Sequence, residues 1–493
     1  MEHPTFLPDV SAAVAKQELL SKEPQEAAKE KFSRLADLPP RFKEITQELQ
    51  ELTGSWNPVE VYTADSESIT REKATFFAAV DSGEVYHPQL TYSHAENMDV
   101  EPAYDRLIEM LAEVKAEHFE KTNRIARVAR AALIAKIRDD MATCEMVRGI
   151  QQKDEKLIKR AVNEKYQPLD DDLLRLAYGV HERESLPPQQ EHLSEGSLSA
   201  DEKSYLKTTT FKADAIAEAF IWALKRMNIY AEAPGQEGFR VEITDAATSI
   251  DVRDKSVAGP TVFIPTSREV TGKYLLNLLA HEIGSHARQS MNGKRLFAIG
   301  GGALKIDDET LYEGLAMRAE QKMNAEMFGE AAAVAGPLYT LGSEIANRGG
   351  SFHDVFQRIH DIVLHHKLKI HPSKDLPPLD QIAGDARMHA RNEGWRVAYR
   401  VMRGHTDMAN PESYAMTKDL AYLRGQEIDR ELQEVGLGHL NEAAVLDGAG
   451  LRLVQEFNLQ PEDLPIPNMN LPQQYWEEVL KPHMIRKKLE ESE

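Results

Sequence analysis

Tyr274-Leu275-Leu276-Asn277-Leu278-Leu279-Ala280-His281-Glu282-Ile283-Gly284-Ser285-His286 is an apolar run, most simply a buried helix, that ends in two imidazoles and a carboxylate. Tyr312-Glu313-Gly314-Leu315-Ala316 follows downstream. Burying such polar groups is costly unless something compensates, and a bound divalent metal ion uses all three at once. The bland alternative is a pair of satisfied core histidines, but an unpaired His-Glu-His cluster closing an apolar helix has no cheap structural explanation. The stretch therefore predicts a zinc site, with one Zn2+ per chain.

The spacing departs from the H-E-x-x-H pattern, in which two histidines four apart share one helical face and the Glu is the general base. Here the histidines are five apart, which on a regular helix leaves them roughly 140° from each other. A π-bulge, with hydrogen bonds from i to i+5, absorbs the extra residue and brings both rings to one side. The expectation is a helix over about residues 271–289, distorted near Gly284, where glycine tolerates unusual backbone angles. A hydrolytic zinc needs three protein ligands and one open position. The best third donor is Glu313, in the second turn of a helix announced by Asp307-Asp308-Glu309-Thr310, with Gly314 and Ala316 allowing the two helices to approach closely. Glu309 and His405 are the other candidates.

His281-Glu282-Ile283-Gly284-Ser285-His286 together with Glu313-Gly314-Leu315-Ala316 resembles the tyrosine carboxypeptidase family, zinc metallopeptidases with an H-E-x-x-x-H signature. That family includes the microtubule-associated enzymes that remove the C-terminal tyrosine of α-tubulin, and bacterial proteins named for a Q-E-G-L-A motif, in which Tyr312 here replaces the Gln. Looser similarity extends over residues 83–92, Arg403-Gly404 and residues 418–425, so that the likeness spans about residues 70–430. The resemblance implies a zinc metallocarboxypeptidase with His281, His286 and Glu313 as ligands and Glu282 as base, acting on a peptide or protein C-terminus ending in tyrosine or another aromatic residue. The fold expected is α+β and predominantly helical: a zincin-like catalytic core with a small β-sheet beside the metal-binding helix, and an N-terminal helical subdomain.

Composition bounds the partners. The chain has 493 residues, too many for one compact core, and 42% hydrophobic content supports a real interior. A formal charge of −21 argues against nucleic acid and anionic membrane surfaces, and equally against whole-molecule attraction to an acidic tubulin tail. The single Cys144 excludes an internal disulfide and thiolate metal clusters. With no apolar run of membrane-spanning length and no charged-then-hydrophobic leader, the expected location is cytoplasmic.

Taken in order, the chain divides into a solvated helical arm (residues 1–70), a helical subdomain (71–195), the metallopeptidase core (196–435) and a C-terminal helical tail (436–493). Apolar recurrence between Pro102 and Arg148 gives one long helix or two, with Arg124, Arg127, Arg130, Lys136 and Arg138 as a solvated basic face. Phe239–Thr244, Ile250–Arg253 and Thr261–Pro265 read as short strands leading into the zinc helix, the last of them as a sheet edge that pairs with extended substrate. The histidines of residues 352–369 are expected on a helix surface.

For the chemistry, Glu282 takes the water proton and passes it to the leaving amine, while Tyr422, His405 or Tyr414 donates to the oxyanion, Tyr422 being favoured. A carboxypeptidase also needs a cation for the terminal carboxylate, and Arg403, Lys418, Arg424 and Arg288 are the candidates. The other readings of the same residues are a zinc endopeptidase or amidohydrolase, and a non-catalytic regulatory protein with a structural zinc. Glu282 discriminates against the last, since a structural site has no need of a carboxylate beside an open coordination position.

Overall fold

Three- and four-residue apolar recurrences dominate the sequence, and helices accordingly dominate the structure, a computed structural model that describes residues 40–53, 56, 61–117, 124–186, 196–245, 247, 249–253, 259–297, 309–330, 336–442, 460–461 and 464–490. The region from 102 to 148 forms two helices, Glu101–Ala116 and Arg124–Gln152. With Pro40–Thr53 and Glu155–Lys165 they enclose a first core around Ile45, Leu107, Met110, Ile137, Met146 and Val162. Pro40–Thr53 is thus docked through Phe42, Ile45 and Leu49 rather than solvated; the rest of the expected arm up to residue 39 lies outside the described residues. Lys136 also leaves the expected basic face. It is buried against Asp140 and Asp139, and Lys165 reaches Asp139 at 2.8 Å, since buried charges persist when paired.

A second core is built around aromatic rings. Phe76 meets Phe352, Phe356 and Trp395 at centroid separations of 5.2, 4.8 and 5.4 Å, joining the Ser66–Ser82 helix to Phe352–Leu368 and Gly384–Val401. The remaining core lies under the candidate site. There the Ala213–Arg226 helix, a small sheet and the helix carrying His281 pack with Leu471, Tyr475, Trp476 and Leu480 from the C-terminal helices.

The strands are β1 (Thr210–Lys212), β2 (Arg240–Thr244), β3 (Asp251–Arg253), β4 (Thr261–Pro265) and β5 (Glu269–Thr271). β1 and β5 form an antiparallel pair that the strand pattern did not disclose, being only three residues each. The other three have the order β2-β4-β3, with β2 parallel and β3 antiparallel to β4. Thr261–Pro265 is therefore the central strand, with Val262 and Ile264 fully buried, and cannot be the sheet edge that receives substrate. Val262, Phe263 and Ile264 give β4 apolar side chains on both faces, as suits a central strand.

From β5 the chain turns directly into the helix of interest, where the Thr271 hydroxyl caps the first turn by accepting from the Tyr274 N–H at 3.3 Å. Across from it lies the Glu309–Met323 helix, which packs on its other side against Leu420–Glu434. Gly314 and Gly425 make that second crossing possible: a Cβ on either would penetrate the backbone of the facing helix. Gly314 thus serves the approach to Leu420–Glu434, not the approach to the histidine helix that its place beside Glu313 suggested. Gly425→Ala is expected to force these helices apart and to destabilise the protein by about 1–3 kcal/mol, read as a lowered midpoint in urea denaturation.

Candidate metal centre

Gly272–Leu278 is regular α-helix, Leu279–Ala287 is π-helical, and α-helix resumes at Arg288–Phe297. The Arg288 N–H reaches back to the Ile283 carbonyl, five residues away, and the Ser285 hydroxyl donates to the Ala280 carbonyl at 2.9 Å. With i-to-i+5 bonding, His286 returns over His281, and the two ring centroids lie 4.6 Å apart at right angles. The distortion is distributed over nine residues instead of being concentrated at Gly284, which is not among the residues of positive φ.

Glu313 completes the group. Its carboxylate lies 3.5 Å from His281 Nε2 and 3.9 Å from His286 Nε2, and one donor atom from each of the three residues falls within 4.8 Å of the others. Among the described residues this is the one such group of three. Glu309, the alternative third ligand, lies outside the residues whose side chains are described.

The donor set fits a divalent cation on three counts. Ligands at about 2.0–2.2 Å in a tetrahedral shell are separated by distances close to those seen here. His281 Nδ1 lies 2.6 Å from Glu320 Oε1, so the carboxylate fixes the ring with Nε2 facing Glu313, the orientation that metal-bound histidines ordinarily have. Finally, Glu282, Glu313 and Glu320, with Asp251 of β3 acting on Glu282, place more negative than positive charge around two imidazoles. Burial pulls the His281 imidazolium down, yet Glu282, Glu313 and Glu320 outweigh it and hold the ring well above its ordinary pKa. Burial likewise pushes Glu313 up, but the hydrogen bond from His281 and the charges of His286 and Lys418 hold it well below the carboxylate range. Among the described residues the buried Oε2 of Glu313 has only the long 3.5 Å contact with His281 Nε2, a distance that fits two donors to one cation. Glu282 behaves differently: burial pushes it up to about 7 against the pull of His281, with Glu313, Asp251 and Glu320 adding to the rise.

Two supporting contacts were not legible as site residues. Glu320 is seven residues past Glu313, two helical turns along the same face, a spacing that signals shared orientation but not this partner. Tyr312 stacks on the His286 ring, centroids 3.6 Å apart and planes 16° from parallel. Its position next to Glu313 puts a flat surface where the second imidazole must rest.

The other sequence candidates go elsewhere. His405 is fully buried, stacked on Tyr414, with Nδ1 3.0 Å from Glu155 and Nε2 3.2 Å from the Tyr414 carbonyl. Tyr414 belongs to the first core and His405 is stacked on it, so neither joins the group formed by His281, His286 and Glu313. Arg403 is buried on Asp419 at 2.7 Å. Arg424 is held by Asp170 and the Pro168 carbonyl, both at 2.7 Å. Arg288 clamps the π-helical segment, donating to the Gly284 carbonyl at 2.7 Å and pairing with Glu442 at 2.9 Å. Each of these three arginines is already engaged by a carboxylate and a carbonyl, a structural use of its fork. Lys418 is closer to the chemistry, buried with its charge acting on Glu313 and on Asp419. Tyr422 lies beside Arg400 and Tyr339, its ring 5.7 Å from the guanidinium.

No family model matches the chain, and no curated protein sequence matches it. Among the described residues no helix is long and apolar enough to cross a membrane.

Two outcomes follow from these contacts. If the group holds a divalent ion such as zinc, Glu320→Gln is expected to weaken its affinity about 10- to 100-fold in a chelator competition while the circular dichroism spectrum is unchanged. Glu155, which also accepts from the Thr406 hydroxyl at 2.7 Å, is opposed by burial but held down at about 2 by His405 and Thr406. A lowered carboxylate pKa stabilises the fold fully above the unfolded value of 4.5 and loses that contribution as pH falls towards 2. Glu155→Gln should therefore lower the melting temperature at neutral pH and flatten its decline between those pH values.

Proposed function

We propose that the chain is a zinc-dependent peptidase whose ligands are His281, His286 and Glu313 and whose general base is Glu282. The observation that carries this reading is the convergence of one donor atom each from His281 and His286, on the π-helical segment, and from Glu313 on the facing helix, with the Glu282 carboxyl, raised to about 7 by burial, next to His281 in the chain. A structural metal has no use for such a carboxylate, whereas a hydrolase needs a base poised near neutrality.

When bound, zinc would acidify a water and polarise a scissile carbonyl. The chain's own residues then divide the remaining work. Glu282, next to His281 in sequence and retaining some accessible surface, accepts a proton from the attacking water and returns it to the leaving amine. Glu320 fixes the tautomer of His281, and Tyr312 braces the ring of His286. Asp251, on a strand packed against the π-helical segment, keeps Glu282 from ionising too readily. A mixed sheet standing against the histidine helix supports reading the whole as a zincin-like core.

Within the peptidases, the H-E-x-x-x-H and E-G-L-A motifs favour the tyrosine carboxypeptidase family, hence removal of a C-terminal residue, with tyrosine or another aromatic as the first class to test. The lone buried cysteine suits a cytoplasmic setting. The test is digestion of a peptide library with diverse C-termini, with and without chelator. Single residues should leave the C-terminus, and chelation should stop the reaction. Glu282→Gln should retain one zinc per chain and lose at least about 100-fold in kcat, within the range of general-base contributions. Wild-type activity that survives full chelation, or undiminished turnover by zinc-loaded Glu282→Gln, would contradict the reading.

A further inference from the structure

His365 and His366 lie in the last turn of the Phe352–Leu368 helix, and His181 lies in the last turn of Asp171–Glu184, so that two helix C-termini meet at a cluster of imidazoles. His181 Nδ1 and His366 Nε2 are 2.6 Å apart, with ring centroids at 4.8 Å. On the far side of the His366 ring, Nδ1 lies 3.4 Å from Glu184 Oε2, and the Ser185 hydroxyl oxygen is 3.4 Å from His181 Nδ1. His365 turns away, its Nδ1 3.2 Å from the Ile370 carbonyl. His181 is buried, while the His366 side chain is 15% exposed, so the pair is reached from solvent through the second ring. One of the histidines expected on a helix surface is thus turned onto a partner from another helix.

Two neutral imidazoles facing each other share one proton between the near nitrogens, and both nitrogens become metal ligands once that proton moves to the outer nitrogen of its ring. Three features favour this second use. Both rings are neutral at physiological pH: burial pulls His181 down to about 4, with His366, Arg358 and His365 adding to the fall, and burial with Lys369 does the same to His366. Imidazole ligates in that neutral form. The Glu184 carboxylate favours the His366 proton on Nδ1 and leaves the Nε2 lone pair facing His181, the carboxylate–histidine arrangement that orients ligating rings. Finally, helix C-termini favour cations; the Glu184 carbonyl is taken by Lys369 Nζ at 2.7 Å, and the rest of both ends still contributes. Nitrogens bound at about 2.0–2.1 Å in a tetrahedral shell stand roughly 3.3 Å apart, so the two rings need to open by less than about 1 Å.

We propose that His181 Nδ1 and His366 Nε2 bind a divalent transition-metal ion of the zinc or copper class, forming a clasp between the Asp171–Glu184 and Phe352–Leu368 helices. Two imidazoles select this class over magnesium and calcium, which take oxygen ligands. The remaining coordination positions fall to the Ser185 hydroxyl and to solvent. No residue of this clasp belongs to the His281 centre, and the inference does not rest on the peptidase reading.

Counting ions tests it. Full-length protein is dialysed to equilibrium against buffered free Zn2+, bound metal is measured by mass spectrometry, and the thermal midpoint is recorded in the same buffer. Wild type should bind one ion more than His366→Gln, and zinc should raise the wild-type midpoint further. Glu184→Gln keeps both rings and changes a half-exposed side chain; it should weaken the added site about 10- to 100-fold. His360→Gln, on the same helix but with its ring on Asp361 at 3.1 Å, should leave the count unchanged. Folded His366→Gln that binds as many ions as wild type overturns the proposal. If His366→Gln does not fold, Glu184→Gln decides, and a zinc affinity equal to that of wild type overturns it as well. A count that falls for His281→Gln but not for His366→Gln keeps the peptidase centre and removes the clasp; the reverse keeps the clasp and removes the centre.

Discussion

The structure turns on a hydrogen-bonding register. Shifting the backbone from i-to-i+4 to i-to-i+5 bonding over Leu279–Ala287 is what lets two histidines separated by four residues share one side of a helix. A π-helix is rarely preferred by the chain itself, so something must hold it. Arg288 bonds the Gly284 carbonyl and a distant carboxylate, Glu442, while Ile283, Leu279 and Leu276 pack into the core with Leu471 and Trp476 of the C-terminal helices. The tail is therefore part of the centre's support, although it contributes no ligand.

From that register the remaining architecture follows outward. The Glu309–Met323 helix presents different faces to different neighbours. Glu313 and Glu320 meet the histidines, while Gly314 and Arg318 meet the Leu420–Glu434 helix, where Arg318 pairs with the buried Asp429 at 2.9 Å. One helix thereby links the histidine side to the segment that holds Lys418 and Asp419.

Residues brought together through local spacing were legible in the sequence. The histidine pair, the intervening glutamate and Glu313 could be read because helix periodicity and donor chemistry constrain them together, and the predominance of helix with small sheets followed from the apolar period. What failed depended on tertiary pairing. His405 and the arginines 288, 403 and 424 are chemically suited to a site, but each is paired with a carboxylate on another segment, Glu155, Glu442, Asp419 and Asp170 respectively. Thr261–Pro265 looked like an edge because strand order is not written in strand composition. Lys136 looked solvated although its partners Asp139 and Asp140 are one turn away, because the helices packed over that face bury all three together.

The most direct test of the centre is anomalous diffraction at the zinc edge from crystals of the purified protein. The expected result is a single strong peak bounded by His281 Nε2, His286 Nε2 and the Glu313 carboxylate, at ligand distances of about 2.0–2.2 Å. A map with no peak there after growth in zinc, or with the two imidazoles turned apart on an ordinary α-helix, would contradict it.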